Sequence, residues 1–524
     1  MKHRQISITL ITALIAALGA QAQTFQTAPR LVVAITIGQL RADYMEAFAP
    51  LYGDKGFKKL LSEGLVYANA SYSFTPQDMA SAIAALQTGT TPYYNSIVSS
   101  RWFDKEILRP VSCVDDDKQT GYQTSDKSSP HHLATSTIGD ELKVYTGGKA
   151  IVYAVAPFRE AAVLSAGHAA NGAIWIDDNT GRWCSTNYYL RGKTTWLSAV
   201  NSLLSPSSFI QGLEWQAVNP LAGNISYFMS RGMQKPFRHK FTGPACYREY
   251  KTSGLVNEHV TDIAVNCIKG NGMGMDPITD MLSITYYAGT FDHRPLAESQ
   301  MEIQDTYVRL DKEIERIVSS VEQIVGQDNA LFVITSTGYF DEESIDYAKY
   351  DVPVGTFYYN RTANLLNMYF GALWGQGAYI EACYGREIFL NHKLLEQKKV
   401  GLNEATYKAQ EFLCQLSGVR NVYTSQQLLL NIQQQTYKIR NGFHPERNGD
   451  IIIEVAPGWT QLNEETGTSQ TSRLSFMPFP IVFYGAGVKA GRVNDRVSVE
   501  RIAPTLAKSI RIRAPNACVE EPLF

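Results

Sequence analysis

The candidates for chemistry in this chain are a few carboxylates and one adjacent carboxylate–imidazole pair. Asp78 lies in the segment Phe74–Gly89, FTPQDMASAIAALQTG, and Asp292 is followed directly by His293. Carboxylate and imidazole side chains are common ligands of zinc in hydrolytic sites. Met79, beside Asp78, carries a thioether that has no ionisable proton and cannot act as an alkoxide nucleophile. The sequence therefore contains candidate metal ligands next to a chemically inert position.

Short apolar runs predict the sheet that must position these residues. A continuous β-branched run that ends at a glycine is typical of a strand buried on both faces of a parallel sheet. A helix is predicted over residues 45–63 after the first run. Strands that alternate with helical sequence favour an α/β sandwich with a central, mostly parallel sheet. The predicted strands are 31–37, 150–155, 331–335 and 481–484.

Composition changes along the chain divide it into three parts. Residues 1–22 have a basic start, a short apolar run and the small-residue cleavage site Ala20-Gln21-Ala22, which predicts a cleaved signal peptide. Residues 23–524 form the α/β domain. Within it, residues 180–280 are rich in Trp, Tyr, Ser and Gly and predict an inserted cap subdomain over the carboxyl edge of the sheet, where open α/β sheets place their sites.

Charge and cysteine content exclude some functions and indicate a compartment. Lys and Arg total 48 against 50 Asp and Glu, so no global positive field attracts nucleic acid. The apolar run is shorter than the roughly 20 residues that span a bilayer. We therefore expect an exported, periplasmic protein that does not span the membrane, with an uncleaved inner-membrane anchor as the minor alternative. In an oxidising compartment the seven cysteines favour one or two disulfides.

The Phe74–Gly89 segment resembles the nucleophile segment of the two-metal alkaline phosphatases, which runs approximately TPTYTAPGHTxxxTG. Thr75, Pro76, Thr88 and Gly89 match, and the nucleophilic threonine falls on Met79. Other segments resemble the single-chain periplasmic alkaline phosphatases of Bacteroidetes, in the type I phosphodiesterase/nucleotide pyrophosphatase branch. They include LVVAITIGQLRADY at 31–44, TPYYNSIVSSRWFD at 91–104 and EIQDTYVRLD at 302–311. The resemblance implies the alkaline-phosphatase fold, a three-layer α/β sandwich.

An active member of this family is expected to hold two zinc ions with Asp and His side chains. In the register set by the matching segments, the ligand positions of this chain contain no carboxylate or imidazole, and Arg294 places a permanent positive charge where a dication belongs. The ligand positions fall on Gly38, Thr290, Arg294, Thr337, Gly338 and Pro478.

The phosphate-binding positions that the resemblance implies differ too. The family asparagine falls on Ser100, and the lysine and arginine of the family's KDRG loop fall on Phe158 and Glu160. Glu160 would place an anion where an anionic substrate binds. The spacings from Gly38 to Met79 and from Met79 to Ser100 match the family without insertion, which supports the register.

Three residues provide fallback hypotheses. Asp78 becomes a nucleophile or ligand if the loop slips by one residue, and Asp292 with His293 forms a metal pair if a short gap is allowed near Thr290. We disfavour this role for Asp78, since one residue at a strand-to-helix turn redirects the side chain. For Asp292 and His293 we favour a solvent-facing loop pair, because positions 337, 338 and 478 offer no partner ligand. His168 lies where active members also have a histidine, and a structural role is favoured over catalysis.

These observations lead to two functional hypotheses. The first is a pseudoenzyme with the family fold, no bound cofactor and no phosphatase activity, which acts as a binding or assembly component of the cell envelope. Its partner would be an envelope protein or a glycan, and not nucleic acid. The alternative is a divergent phosphomonoester or phosphodiester hydrolase with a rearranged or single-metal site. Metal content and phosphoester turnover distinguish the two.

Overall fold

The computed structural model describes residues 27–190, 195–219, 236–294, 298–338, 351–430, 436–464, 469–471 and 478–524. The predicted signal peptide at 1–22 lies outside the described residues. Within those ranges no helix is both long enough and apolar enough to cross a bilayer.

The strands form one large sheet and several small ones. In chain order they are β1 (Leu31–Gly38), β2 (Leu65–Ser71), β3 (Arg101–Asp104), β4 (Arg109–Ser112), β5 (Gly121–Tyr122), β6 (Val152–Val155), β7 (Gly172–Ile176), β8 (Trp183–Thr186), β9 (Glu214–Trp215), β10 (His239–Lys240), β11 (Asp280–Tyr287), β12 (Ala330–Ser336), β13 (Thr356–Tyr358), β14 (Ile380–Tyr384), β15 (Glu387–Leu390), β16 (Val419–Thr424), β17 (Ile451–Val455), β18 (Thr460–Leu462), β19 (Ser469–Thr471), β20 (Phe479–Gly485) and β21 (Gly491–Ser498).

The central sheet is mixed and has the strand order β21-β2-β20-β12-β1-β11-β6-β7-β8-β5. Strands β12, β1, β11, β6 and β7 are parallel, whereas β20 runs antiparallel to both of its neighbours. The four predicted strands all belong to this sheet, with β11 between β1 and β6. The carboxyl ends of β1, β11 and β12 meet at one edge of the sheet.

Helices cover both faces of the sheet because the strands are apolar on both sides. Odd residues of β1 such as Val33 and Ile35 pack in one core, and even residues such as Val32 and Ala34 pack in the other. The long helices Val256–Asn271 and Gln300–Val325 cover the first face. The shorter helices Met79–Thr88, Ile138–Tyr145, Arg159–Ala166 and Ile502–Ile510 cover the second.

The helix predicted over 45–63 is broken into Ala42–Ala47, the 3₁₀ turn Ala49–Leu51 and Phe57–Glu63. Pro50 fixes the backbone and cannot donate a helical hydrogen bond. Gly56 lies against Asp311, since a Cβ at Gly56 would be 2.2 Å from Asp311 Oδ1. The remaining α-helices are Pro92–Asn95, Asn187–Leu190, Thr195–Leu204, Pro206–Phe209, Cys246–Lys251, Tyr359–Trp374, His392–Gln397, Leu402–Leu413, Ser425–Leu430 and Tyr437–Asn441. Further 3₁₀ turns are Ile210–Gly212, Phe291–His293, Gln327–Asn329 and Val499–Arg501.

The predicted cap at 180–280 includes two elements that belong to the central sandwich. Strand β8 pairs with β7 at the edge of the large sheet, and Val256–Asn271 packs in the core beneath it. The sequence does not predict this helix, because its Asn, Thr and Lys residues interrupt the helical spacing of apolar residues. Between these elements lie short helices and the β9–β10 pair. A cap limited to these intervening residues stays a prediction.

Residues 351–430 and 436–464 form a second lobe, which the sequence analysis did not predict. Strands β14, β15, β17 and β16 form an antiparallel sheet with its own hydrophobic core. Its helices include Leu402–Leu413 and Ser425–Leu430. The lobe contacts the sandwich directly, because the backbone N–H of Thr75 donates to the carbonyl of Lys438 at 3.0 Å.

The expectation of one or two disulfides is wrong in this structure. All seven cysteines lie within the described residues, and all are free thiols. Four of them, Cys113, Cys184, Cys246 and Cys267, are buried in the hydrophobic cores. They pack there as small apolar side chains.

Candidate active site at the carboxyl edge of the sheet

Asp78 is the N-cap of the Met79–Thr88 helix. Its Oδ1 accepts from the backbone N–H of Ser81 at 2.9 Å, and the Ser81 hydroxyl bonds back to the cap in a capping box. Its Oδ2 accepts from the hydroxyl of Ser100 at 2.7 Å. One carboxylate oxygen of Asp78 therefore caps the helix, and the other holds the Ser100 loop. The side chain proposed as a fallback nucleophile makes structural hydrogen bonds with both oxygens.

Gly38 and Met79 are in contact, although 41 positions separate them in the chain. A Cβ at Gly38 would be 3.0 Å from Met79 Cε and 3.5 Å from Cδ2 of Tyr287. The ring of Tyr287 in turn meets the ring of Phe158 edge-on at 5.7 Å. The space beside the end of β1 is thus occupied by a thioether and two aromatic rings.

Neutral amides and hydroxyls occupy the neighbouring positions at the ends of β1 and β12. The backbone N–H of Gln39 donates to Thr337 Oγ1 at 3.0 Å, and both side chains are buried. Gly338 lies against Gln77, since a Cβ at Gly338 would be 2.4 Å from Gln77 Nε2. Four of the predicted ligand and nucleophile positions, Gly38, Met79, Thr337 and Gly338, therefore lie at one edge of the sheet.

The loop after β11 divides its residues between the interior and the surface. Thr290 is buried, and its carbonyl accepts from the hydroxyl of Tyr287 at 2.9 Å. Arg294 points outward, with Nε 3.6 Å from Asp292 Oδ2 and its guanidinium 5.2 Å from the centre of the Phe291 ring. Asp292 thus pairs with a cation on an exposed loop. The ring of His293 lies 6.4 Å from that of Tyr287.

Glu160 does not face an empty anion site. Its Oε1 lies 3.3 Å from Nη2 of Arg159. The same guanidinium contacts Asp115 through Nη2 at 3.2 Å and Asp126 through Nη1 at 3.6 Å. Burial alone would lower the pKa of Arg159, but the charges of these three carboxylates outweigh it and raise that pKa. Glu160 is therefore one of three carboxylates around a single guanidinium, and the expectation that it repels an anionic substrate stays a prediction.

Pro478 directly precedes β20, and it is half-buried. Thr335 of β12 donates through Oγ1 to the carbonyl of Pro480 at 3.1 Å. Because β20 is antiparallel to β12, its start lies at the edge where β12 ends. Pro478 therefore belongs to the same edge as Thr337 and Gly338.

Zinc does not fit the residues described at this edge. Glycine side chains offer no donor, the Thr337 hydroxyl already binds the Gln39 backbone, and a thioether is a poor ligand for zinc compared with imidazole, thiolate or carboxylate. Among the described residues no group of three His, Cys, Asp or Glu side chains could hold a metal ion. Asp292 and His293 provide two donors at most. No catalytic step through a metal can be built from these side chains.

The fold and this edge can be compared with known proteins. The family model described as "Type I phosphodiesterase / nucleotide pyrophosphatase" matches residues 32–477. The chain belongs to this family. It is 26% identical to alkaline phosphatase PhoV of Synechococcus elongatus, over 94% of this chain and 92% of that protein. It is also 26% identical to alkaline phosphatase PafA of Elizabethkingia meningoseptica, over 97% and 96% of the two chains.

A solved structure supports the same relationship. The crystal structure of wild-type alkaline phosphatase PafA superposes with a TM-score of 0.81 at 25% identity, and the match covers 95% of this chain and 98% of that one. The alkaline-phosphatase-like α/β fold predicted from the sequence is thereby confirmed. Two relatives that match over nearly the whole chain, PhoV and PafA, are named as alkaline phosphatases, which favours the hydrolase alternative over the first hypothesis.

Sequence reasoning missed four residues that shape the edge: Gln39, Gln77, Tyr287 and Lys251. Lys251 is buried, and its Nζ lies 5.2 Å from the centre of the Phe158 ring, where it also donates to the carbonyl of Ile176. The sequence gives one signal for Gln39 and Gln77, since each stands within two residues of a predicted position. Nothing in the sequence brings Lys251 to Phe158.

Proposed function

We propose that this protein is a member of the type I phosphodiesterase family without phosphatase activity, which serves as a binding or assembly component of an exported, envelope-associated system. The single observation that carries the proposal is the contact between Gly38 and Met79. In the register of the family these are a ligand position and the nucleophile position. Here they pack against each other through apolar atoms.

The physical argument concerns charge. Phosphoryl transfer builds negative charge on the leaving and equatorial oxygens, and metal ions with cationic side chains normally offset it. The positions Gly38, Met79, Thr337 and Gly338 are neutral. The charges described near them are already paired or hydrogen-bonded: Asp78 caps a helix, Glu160 pairs with Arg159, and the ammonium of Lys251 is held by Ile176 and Asp178. Losing one electrostatic donor commonly costs about 10²–10³ in rate. Several losses at one site are not additive, but each acts in the same direction.

The relatives supply the second candidate function. Because those chains are alkaline phosphatases by name, a divergent hydrolase that uses Asp292, His293 or residues outside the described ranges is the competing proposal. Under this alternative the protein hydrolyses phosphomonoesters or phosphodiesters with a rearranged site. The periplasmic location applies to both candidates.

Hydrolysis of p-nitrophenyl phosphate and its bis-ester by purified mature protein separates the two proposals. We expect no rate above a matched blank, with or without EDTA, and no gain from Met79→Thr, because no ligand set activates the new hydroxyl. A sample refolded from denaturant controls for carried-over contaminating phosphatase. Metal-dependent turnover that EDTA abolishes and that survives this control would establish the hydrolase alternative.

A further inference from the structure

A cleft that is lined by none of the sheet-edge positions lies where the β3–β4 hairpin meets the second lobe. Its volume is about 630 Å³, within the roughly 300–1,000 Å³ that pockets for small organic ligands occupy. Strand β15 and the start of the His392–Gln397 helix form its other walls. The proposed function uses none of these residues.

The floor of the cleft is apolar, and its aromatic rings are buried. The rings of Phe103 and Phe389 are buried and lie 4.9 Å apart, which joins the hairpin to the lobe. Leu390 is also buried, and Leu394 adds an apolar side chain from the helix. A ligand with an apolar body would lose little additional free energy through ordering of this surface.

Two nitrogen-bearing side chains on the walls, His392 and Lys105, are anchored by the protein. Nε2 of His392 lies 2.9 Å from Oδ1 of Asp450, whose other oxygen accepts from the backbone N–H of Leu390. Because the two ring nitrogens point apart, this bond leaves Nδ1 directed away from Asp450. Nζ of Lys105 donates to the carbonyl of Pro445 at 2.9 Å and retains further protons for a ligand.

The remaining charges on the cleft restrict the ligand further. Lys393 adds a second ammonium group to that of Lys105, whereas Glu106 and Glu381 are exposed carboxylates with no ion pair among the described residues. Asp450 is already used by His392. A ligand with one negative charge can meet the two ammonium groups, but each further negative charge would be repelled by the two free carboxylates.

We propose that this cleft binds a small amphipathic acid, a molecule with an apolar body and a single carboxylate, with His392, Lys393 and Lys105 receiving the carboxylate and the Phe103–Phe389 floor receiving the body. The same chemistry is present in the carboxyl terminus of a short apolar peptide and in a small aromatic acid. The proposal is independent of whether the sheet edge is catalytic.

Isothermal titration of the full mature chain tests the proposal. The probes are N-acetyl-Leu-Phe, its carboxyl-terminal amide, 3-phenylpropionate and phenyl phosphate. We expect N-acetyl-Leu-Phe to bind, with at least a roughly tenfold loss for the amide, since a charge-assisted hydrogen bond to a carboxylate is lost. The dianionic phenyl phosphate should bind more weakly than 3-phenylpropionate. Binding of both acids indicates a general acid site, and binding of the peptide alone indicates a peptide terminus.

Variants connect the binding to the cleft. His392→Gln and Lys393→Ala should each weaken N-acetyl-Leu-Phe at least about fivefold, and Lys393→Ala should leave the thermal midpoint within error. Lys508→Ala, an exposed lysine outside the cleft, is the matched control and should bind as the unmodified protein does. Failure of both acids to bind, equal binding of N-acetyl-Leu-Phe and its amide, or unchanged affinity in both cleft variants would each overturn the proposal.

Discussion

Asp140 and Gly38 lie in two regions of the same sandwich that differ in whether the surrounding groups stabilise a buried carboxylate. Asp140, under the sheet, is buried and accepts from the backbone N–H groups of Thr137, His168 and Ala169, and from Nδ1 of His168. Gly38, at the carboxyl edge, occupies a predicted ligand position and is surrounded by Met79 and Tyr287. The first region holds a buried carboxylate in hydrogen bonds. In the second region, the Met79 and Tyr287 side-chain atoms nearest Gly38 are apolar carbons and would donate no hydrogen bond to a carboxylate.

The difference follows from the cost of burying charge. A buried carboxylate is tolerated where hydrogen bonds or a cation replace its water, and it is otherwise among the most expensive groups to bury. Asp311 follows the same rule as Asp140, since its two oxygens accept from the backbone of Gly53 and Phe57. Carboxylates in this protein therefore hold the scaffold together, while the described sheet edge is packed like a core.

The largest effect is expected when a carboxylate is placed at the edge. Gly38→Asp should lower the free energy of unfolding by about 4 kcal/mol, because it buries an unpaired charge and displaces Met79. Urea unfolding measures the change, with Gly38→Asn as the uncharged control that separates sterics from charge. Recovery of stability on adding zinc would indicate hidden metal ligands and contradict the comparison.

Removing the retained carboxylate should cost somewhat less. Asp140→Ala leaves three backbone donors and the His168 ring without their acceptor, and we expect a loss of about 3 kcal/mol. The measurement is the urea midpoint at constant m-value. A loss below about 1 kcal/mol would mean that water replaces these bonds and that the buried carboxylate is dispensable.

A double-mutant cycle tests whether Gly38 and Met79 share one space. Gly38→Ala should cost about 1 kcal/mol, because the new methyl lies 3.0 Å from the flexible end of Met79. Met79→Ala vacates that space, so the pair should show a coupling of about 0.5–1 kcal/mol. Additive effects would place the two positions in separate environments and weaken the interpretation of the edge.

The smallest effect concerns the pH dependence of the Asp140–His168 pair. Burial alone would lower the pKa of His168, but its bonds to Asp140 and Leu133 outweigh it, so that pKa is raised. The pair therefore stabilises the fold fully below the unfolded histidine pKa of about 6.5 and loses this contribution as pH rises through the folded pKa. Burial alone would raise the pKa of Asp140, yet the bonds that it accepts lower it, so the contribution is also lost at acidic pH.

Urea titrations across this range should show a decline in stability from about pH 5.5 to pH 8.5 that His168→Gln reduces. His392, whose pKa is raised by its hydrogen bond to Asp450, contributes with the same sign. The double variant His168→Gln/His392→Gln therefore measures how much of the pH dependence of stability comes from the other titratable groups. An unchanged slope in His168→Gln would assign the pH dependence elsewhere.

Four strands of the ten-stranded central sheet, at 31–37, 150–155, 331–335 and 481–484, could be predicted because their apolar runs are buried on both faces. The strand β11 was missed since Asp280, Ser283 and Thr285 interrupt its apolar pattern, although all three are buried. The sheet of the second lobe was missed for a related reason. Strand β14 is half-buried and β16 partly exposed, so neither has a continuous apolar run.

The edge could be predicted only as a set of positions. The family register identified Gly38, Met79, Thr337 and Gly338, whose proximity depends on the parallel pairing of β1 with β12. The side chains that fill the space between them, Gln39, Gln77 and Tyr287, come from turns and a strand end, where sequence periodicity gives no direction. The Arg159 partner of Glu160 was adjacent in sequence, yet its clustering with Asp115 and Asp126 required the fold.

Zinc binding by the mature protein tests the central claim most directly. The chain, stripped with EDTA and dialysed, is titrated with zinc against a chromophoric chelator while turnover of p-nitrophenyl phosphate is followed in the same sample. The account predicts no zinc retained in competition with the chelator and no turnover at any zinc concentration. Two zinc ions bound per chain, with turnover that rises in proportion to occupancy, would contradict it.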